Sequence, residues 1–287
     1  MSYIFLILSV FLSASYTVIG KYYNKKYALG GNLVSIYNVL FTAVVFVCWC
    51  VLYALNFSFD VRVLPYSVLF ALLYVMSLWG SISALKYGSA TLTKLLVSFA
   101  LMLTTVWGFI FWNSVINMRV TVGLILVALS IVLCLSEGKK GEKRISVKWF
   151  LFAVLATLCS AGCSIVQKTE QMDFNGKHGE MLMTFATFLS FVVFSAVYLF
   201  KDRKHTEIFL KRTWYLPVCA GVCNVALNMF IIILATSELS PSLIYPTVGV
   251  GSLIAVILFS FAVFKERLRF LQYLGIAAAI VAIILLL

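Results

Sequence analysis

Apolar runs close to or longer than the roughly 18 to 20 residues that carry a helix across about 30 Å of hydrocarbon recur from one end of this sequence to the other. No water-soluble core absorbs so many. Of 287 residues, 63% are hydrophobic and 11% charged, whereas about a quarter of an ordinary soluble domain is charged. A bilayer admits only helices and closed barrels, because every backbone N–H and C=O must be satisfied without water. The runs are too long and too uniformly apolar for the alternating strands of a barrel, which leaves helices.

The hydropathy pattern predicts spans over 2–20, 31–55, 65–85, 90–112, 120–136, 148–168, 180–200, 213–236, 240–264 and 270–287. The connections are short and hold no separate domain. The first span has no basic n-region and runs into KYYNKKYALGG rather than a small-residue cleavage site, so it is expected to be a retained helix and not a signal peptide. Nothing is expected to follow the last helix.

The net charge of +12 does not point to nucleic acid, because the basic residues are scattered through connections between apolar spans. They read as an orientation signal instead. With Lys148 and Lys168 counted in the connections they flank, seventeen of the 22 Lys and Arg fall in odd-numbered connections and four in even ones, Lys94 lying inside a span. This puts the odd connections in the cytoplasm and both termini outside. The seven cysteines all lie inside predicted spans, which argues against a disulfide framework. Cys159 with Cys163, and Cys219 with Cys223, have the one-turn spacing of a metal pair, but buried free cysteine is the commoner use, and both His178 and His205 are in connections. No metal or cofactor is expected.

Two stretches 152 positions apart can be overlaid: Leu64 and Pro65 open the third span as Leu216 and Pro217 open the eighth. Each is followed by a very short turn, YGSAT after Lys86 and LSPSL after Glu238, then a long span, then a glycine early in the last helix, Gly123 and Gly275. Nearer the start of each half, SASYTVIGK at Ser13 to Lys21 matches SAGCSIVQK at Ser160 to Lys168. The repeating unit therefore holds five helices, and an odd number forces the two copies into opposite senses in the membrane. The expected organisation is a first repeat over 1–136, a basic linker over 137–147 and a second repeat over 148–287.

In SASYTVIGK, in ALKYGSATL (Ala84 to Leu92) with its counterpart LATSELSPSLIYP (Leu234 to Pro246), and in FKERLRFLQYLGI (Phe264 to Ile276), the sequence resembles the EamA type of the drug/metabolite transporter superfamily. The resemblance covers essentially the whole chain. It implies an all-α integral membrane protein of ten transmembrane helices in two inverted five-helix repeats, with a central cavity lined by helices one, three, four, six, eight and nine. Three positions depart from the family pattern: FWNSVINMRV lacks the acid of the glutamate turn, Asn38 stands where many members carry a basic residue, and Lys94 matches Pro246. Many members also place both termini inside, against the charge distribution.

Proton-coupled cation exporters need a carboxylate buried in their pathway. All ten acids here fall in connections or the outermost turn of a span, Glu170 among them, and helix one has none, unlike that of the family's small multidrug relatives. Lys94, four places into an apolar span, either faces the cavity or snorkels to the interface. Asn224 and Asn228 share a helix face, as do Ser35, Asn38 and Thr42; in lipid such groups bind substrate or bond to neighbouring helices. Tyr16, Trp79 and Tyr245 lie on helices that the resemblance assigns to the pathway. Ser13 and Thr17, matched by Ser160 and Ser164, are small residues suited to close helix contact about which two halves rock, and Pro246 is expected to kink its helix.

These features predict a multi-pass protein of the cell membrane that carries a small polar metabolite, its partners being that substrate and the lipid bilayer, with no nucleic acid. A monomer is sufficient for this plan and a homodimer is allowed. The alternatives are a flippase for a lipid-linked sugar or phosphate, a proton-coupled drug or cation exporter, and a non-transporting receptor or assembly subunit. An enzyme is not expected, since the sequence has no HExxH, no Gly-x-Ser-x-Gly and no His/Asp cluster.

Overall fold

Helices form here because leucine, isoleucine, valine and phenylalanine fill the runs, and a helix is the one open-ended structure that satisfies its own backbone in lipid. The structure, a computed structural model, describes residues 2–26, 31–87, 96–97, 99–112, 118–135, 147–200, 212–264 and 270–286. Among them the regular elements are α1 (Ser2–Lys26), α2 (Gly31–Leu55), a 3-10 turn (Val61–Val63), α3 (Leu64–Tyr87), α4 (Ala100–Phe111), α5 (Met118–Leu135), α6 (Val147–Asp173), α7 (Gly179–Leu199), α8 (Tyr215–Ala235), α9 (Pro241–Phe264) and α10 (Phe270–Leu286). Among the described residues six stretches are long and apolar enough to cross a membrane: Ser2–Gly20, Ser35–Leu55, Val61–Ser81, Val147–Asp173, Gly179–Leu199 and Tyr215–Ala235. Four shorter apolar stretches, Met102–Phe111, Met118–Ser130, Leu243–Val256 and Tyr273–Ala282, overlap the remaining expected spans.

The prolines sit where a helix tolerates them. Pro65, Pro217 and Pro241 fall in the first turns of α3, α8 and α9, where a missing N–H leaves no bond unmade. The fourth, Pro246, lies inside α9, and that helix continues through it to Phe264.

The chain divides into two compact units that do not follow the sequence halves. One holds residues 1–10, 73–165 and 237–287; the other holds 11–72 and 166–236. In the first, α5 lies along α10, and α9 packs against α4, α5 and α10. Val127, Leu243, Val250, Leu253 and Ala282 form one buried cluster in it. The C-terminal part of α3 meets the first part of α6 closely: a Cβ on Gly80 would stand 3.0 Å from the Phe152 carbonyl oxygen, and the Ser77 hydroxyl donates to the Ala156 carbonyl at 3.2 Å.

In the second unit α2 is the central element, lying against α7 and α8. Gly221 lets α8 come close, since a Cβ there would stand 2.9 Å from Val44 Cγ1 and 3.4 Å from the Phe41 carbonyl oxygen. On the α7 side, Thr184 donates to the carbonyl of the fully buried Trp49 at 3.1 Å, and Phe46 lies against Phe188 and Phe191. Lipid tails are as apolar as these side chains, so close approach and interhelical hydrogen bonds hold the helices together.

Candidate functional site

Three clusters of polar groups stand out among the described residues of the second unit. One is a column of rings on α1 and α2. Tyr23 stacks on Tyr37 with centroids 4.5 Å apart, Tyr37 lies nearly parallel to Phe41 at 6.3 Å, and Tyr16 meets Phe41 at 5.6 Å. The one-turn spacing of positions 37 and 41 produces the alignment. Asn38 and Ser35 are buried beside it, and Thr42 donates to the Asn38 carbonyl at 2.7 Å. Burial pushes the Tyr23 phenol above its ordinary value. The Tyr37 hydroxyl is buried without a hydrogen-bond partner among the described residues. Such a group costs about 1–3 kcal/mol unsatisfied, and a polar ligand beside the rings would satisfy it.

The second place is the C-terminal end of α6. Here Asn175 (φ 52°) and Gly176 (φ 74°) are left-handed, and the Gly176 N–H reaches back to the Gln171 carbonyl at 2.9 Å, closing the helix. The turn folds onto the end of α8: Gly176 abuts Thr236, and Gly179 abuts Gln171 and Ile232. Lys168, buried, donates its ammonium to the carbonyl of Ala235, the last residue of α8. A cation at a helix C-terminus meets both an orphan carbonyl and the negative end of the helix dipole. Glu170 and Gln171 are also fully buried, the Gln171 amide donating to Glu170 Oε2.

The third place is a clasp between the connection before α3 and the turn before α7. Asp60 caps the 3-10 turn by accepting from the Arg62 N–H at 2.9 Å, and its carboxylate takes the Arg62 guanidinium through both oxygens, at 2.6 to 3.1 Å. The guanidinium hydrogen bonds hold the Asp60 carboxyl down to about 2. Arg62 lies over the Phe174 ring, the Tyr66 hydroxyl donates to Asp173 at 2.6 Å, and the Ser58 hydroxyl donates to the Lys177 carbonyl at 3.0 Å. With its one hydrogen so placed, Ser58 accepts from His178 Nδ1, 2.9 Å away.

The residues expected from sequence to bind substrate are divided. Tyr16, Asn38, Asn224 and Asn228 belong to the second unit, and Trp79 and Tyr245 to the first. Lys94 lies outside the described residues. Asn228 donates to the Asn224 carbonyl at 2.9 Å and to its Oδ1 at 3.2 Å, so the two amides answer each other within α8. Trp79 is exposed and sits edge-on to Phe152, whereas Tyr245 is buried in the first turns of α9 with Pro246 one residue on. Of the small residues, Ser13 and Thr17 belong to the second unit and Ser160 and Ser164 to the first. Among the described residues no group of three or more His, Cys, Asp or Glu is placed to hold a metal.

The matched pair SAGCSIVQK and SASYTVIGK pointed to Lys168, but Tyr37, Glu170 and Gln171 stood out in no motif. The one signal was the polar run QKTEQ at the end of an apolar helix, three residues before an Asn-Gly turn.

Residues 147–287 match the EamA-like transporter family. By these residues, just under half of the chain, the protein is EamA-like. This EamA-like protein is accordingly a multi-pass membrane protein of a transporter family. A crystal structure with 10% sequence identity superposes over 99% of this chain and 95% of its own length with a TM-score of 0.74, a likeness that shows the fold alone. No curated protein matches the sequence significantly.

Proposed function

We propose that this EamA-like protein is a secondary transporter that moves a small polar organic metabolite, anionic or zwitterionic, across the cell membrane. In this reading ten spans form two inverted repeats, 1–136 and 148–287, joined by the basic linker 137–147, and transport proceeds by alternating access between them. The supporting observation is a polar group where none is cheap: the Tyr37 hydroxyl, buried and without a partner among the described residues, within the ring column of Tyr16, Tyr23 and Phe41, beside Asn38. A ligand with an apolar face and a polar edge fits such surroundings. Lys94 is proposed as the charge that selects an anionic group, and Asn224, Asn228, Trp79 and Tyr245 as further contacts along the pathway.

The test is thermal denaturation of purified protein against panels of amino acids, sugars, nucleosides, organic acids and phosphate esters. A compound binding only the native state raises the midpoint by mass action, by about 2.7 kcal/mol at one hundred times its dissociation constant. Stabilisation by one water-soluble class, followed by its flux in reconstituted vesicles, is expected. Stabilisation by lipid-linked sugars alone would replace the metabolite reading with a flippase.

A further inference from the structure

One buried titratable group is used by nothing described so far. Glu170 has no exposed surface, although it lies only three residues before the end of α6. Its Oε2 accepts from the Gln171 amide, its Oε1 has no partner among the described residues, and the neighbouring Gln171 Oε1 is buried and unpartnered as well. Two acceptors on adjacent residues are thus buried with no donor among the described residues.

The ionisable groups near Glu170 offer it no counter-ion. Asp173, on the same helix, and Glu180, in the first turn of α7, are both acids. The Tyr66 hydroxyl, on the first turn of α3, is committed to Asp173. Lys168, the buried cation of α6, is committed to the Ala235 carbonyl, and among the described residues no ion pair reaches Glu170. A carboxylate stripped of water and left without a cation is strongly unfavourable, and a group so placed takes up a proton instead. A proton on Oε1 removes the buried charge and turns an orphan acceptor into a hydroxyl donor.

We propose that Glu170 is a proton-binding site: in the structure described here its carboxyl carries a proton, which it exchanges with water at this end of α6 when the Glu170–Gln171 contact opens. The place suits exchange, since Glu170 stands one turn from the exposed Asp173 and a short turn from the half-exposed Glu180. That it holds a proton stands on geometry alone. That this proton couples to substrate movement rests on the transporter reading above.

The experiment is infrared spectroscopy of the purified full-length protein in lipid, reading the C=O stretch of a protonated carboxylic acid. The wild type at neutral pH should show the band, Glu170→Gln should lack it, and Asp173→Asn and Glu180→Gln should keep it. In D2O the band should shift. Absence of the band at neutral pH, its persistence in Glu170→Gln, or a band that never shifts in D2O each overturns the proposal. Should Glu170→Gln fail to fold, the other two variants decide, because loss of the band in either would assign the proton elsewhere. Loss of the band would leave the transporter reading standing, and failure to find a transported substrate would leave the band untouched.

Discussion

Lys94 and Asp60 are both charged groups near apolar spans, but different physics governs each. Lys94 has no acid close to it in sequence, and if it faces a partly wet cavity its attraction for an anion is appreciable, about 4 kcal/mol for two unit charges at 4 Å and an effective dielectric of 20. Desolvation and ordering take back part of this, so Lys94→Gln is expected to weaken an anionic substrate by about 1 to 3 kcal/mol. Equal binding by wild type and Lys94→Gln in calorimetry would assign the lysine to snorkelling. Asp60 is half-buried and already paired. Because its folded value is depressed to about 2, its stabilising contribution is fully present above the ordinary carboxylate value near 3.9 and is lost as pH falls toward 2. Protection of the Arg62 amide in hydrogen exchange, corrected for intrinsic rate, should therefore hold from pH 7 to 5, and Asp60→Asn should lose it throughout. A loss already complete at pH 5 would contradict the pairing. Glu170 shows why residue-scale reading stops short: its position in the outermost turn was legible, but its complete burial is a matter of tertiary packing that no motif marks.

At the scale of elements the helices were legible because the bilayer forces one backbone solution on any long apolar run. Their ends were less so. Hydropathy placed the end of the sixth span at 168, yet α6 continues to Asp173, since apolarity marks hydrocarbon and a helix ends where its backbone is capped. Gly176 is that cap, and two separate reasons require it. Its φ of 74° disfavours any Cβ, and a Cβ there would stand 2.6 Å from Thr236 Cγ2. Gly176→Ala is expected to cost about 1 to 3 kcal/mol, read by thermal or denaturant unfolding in detergent. Thr236→Ser removes the clashing methyl, so the double variant should recover the steric part and keep the backbone part. Full recovery would show that φ strain counts for nothing here. The approach of α2 to α8 responds in the same way. Gly221→Ala should cost about 1 to 3 kcal/mol through the Val44 contact, and Val44→Ala in the same chain should return most of it. No periodicity announced that crossing, because Gly221 is one small residue among many in an apolar run.

For the whole molecule, the open question of orientation is sharpened by what Lys168 does. The positive-inside rule counts basic residues because they resist translocation from the cytoplasmic side, so a residue held by the fold is a poor topology signal. Lys168 stood among the four basic residues of the even connections, yet its ammonium is tied to the end of α8. Setting it aside leaves three in the even connections against seventeen in the odd ones, and the imbalance grows. The positive side is concentrated in the linker 137–147 and in 201–212, which are separated by two expected spans, one on either side of the 169–179 turn. Two single cysteines test the result in intact cells with a membrane-impermeant maleimide, against a background in which the native cysteines are replaced. Lys140→Cys, in the linker, should be protected until the membrane is permeabilised. Lys177→Cys, whose side is exposed in the turn before α7, should label at once from outside. The reverse pattern would place both termini inside, as in many EamA-type proteins, and would mean that the basic connections of this chain answer to something other than insertion.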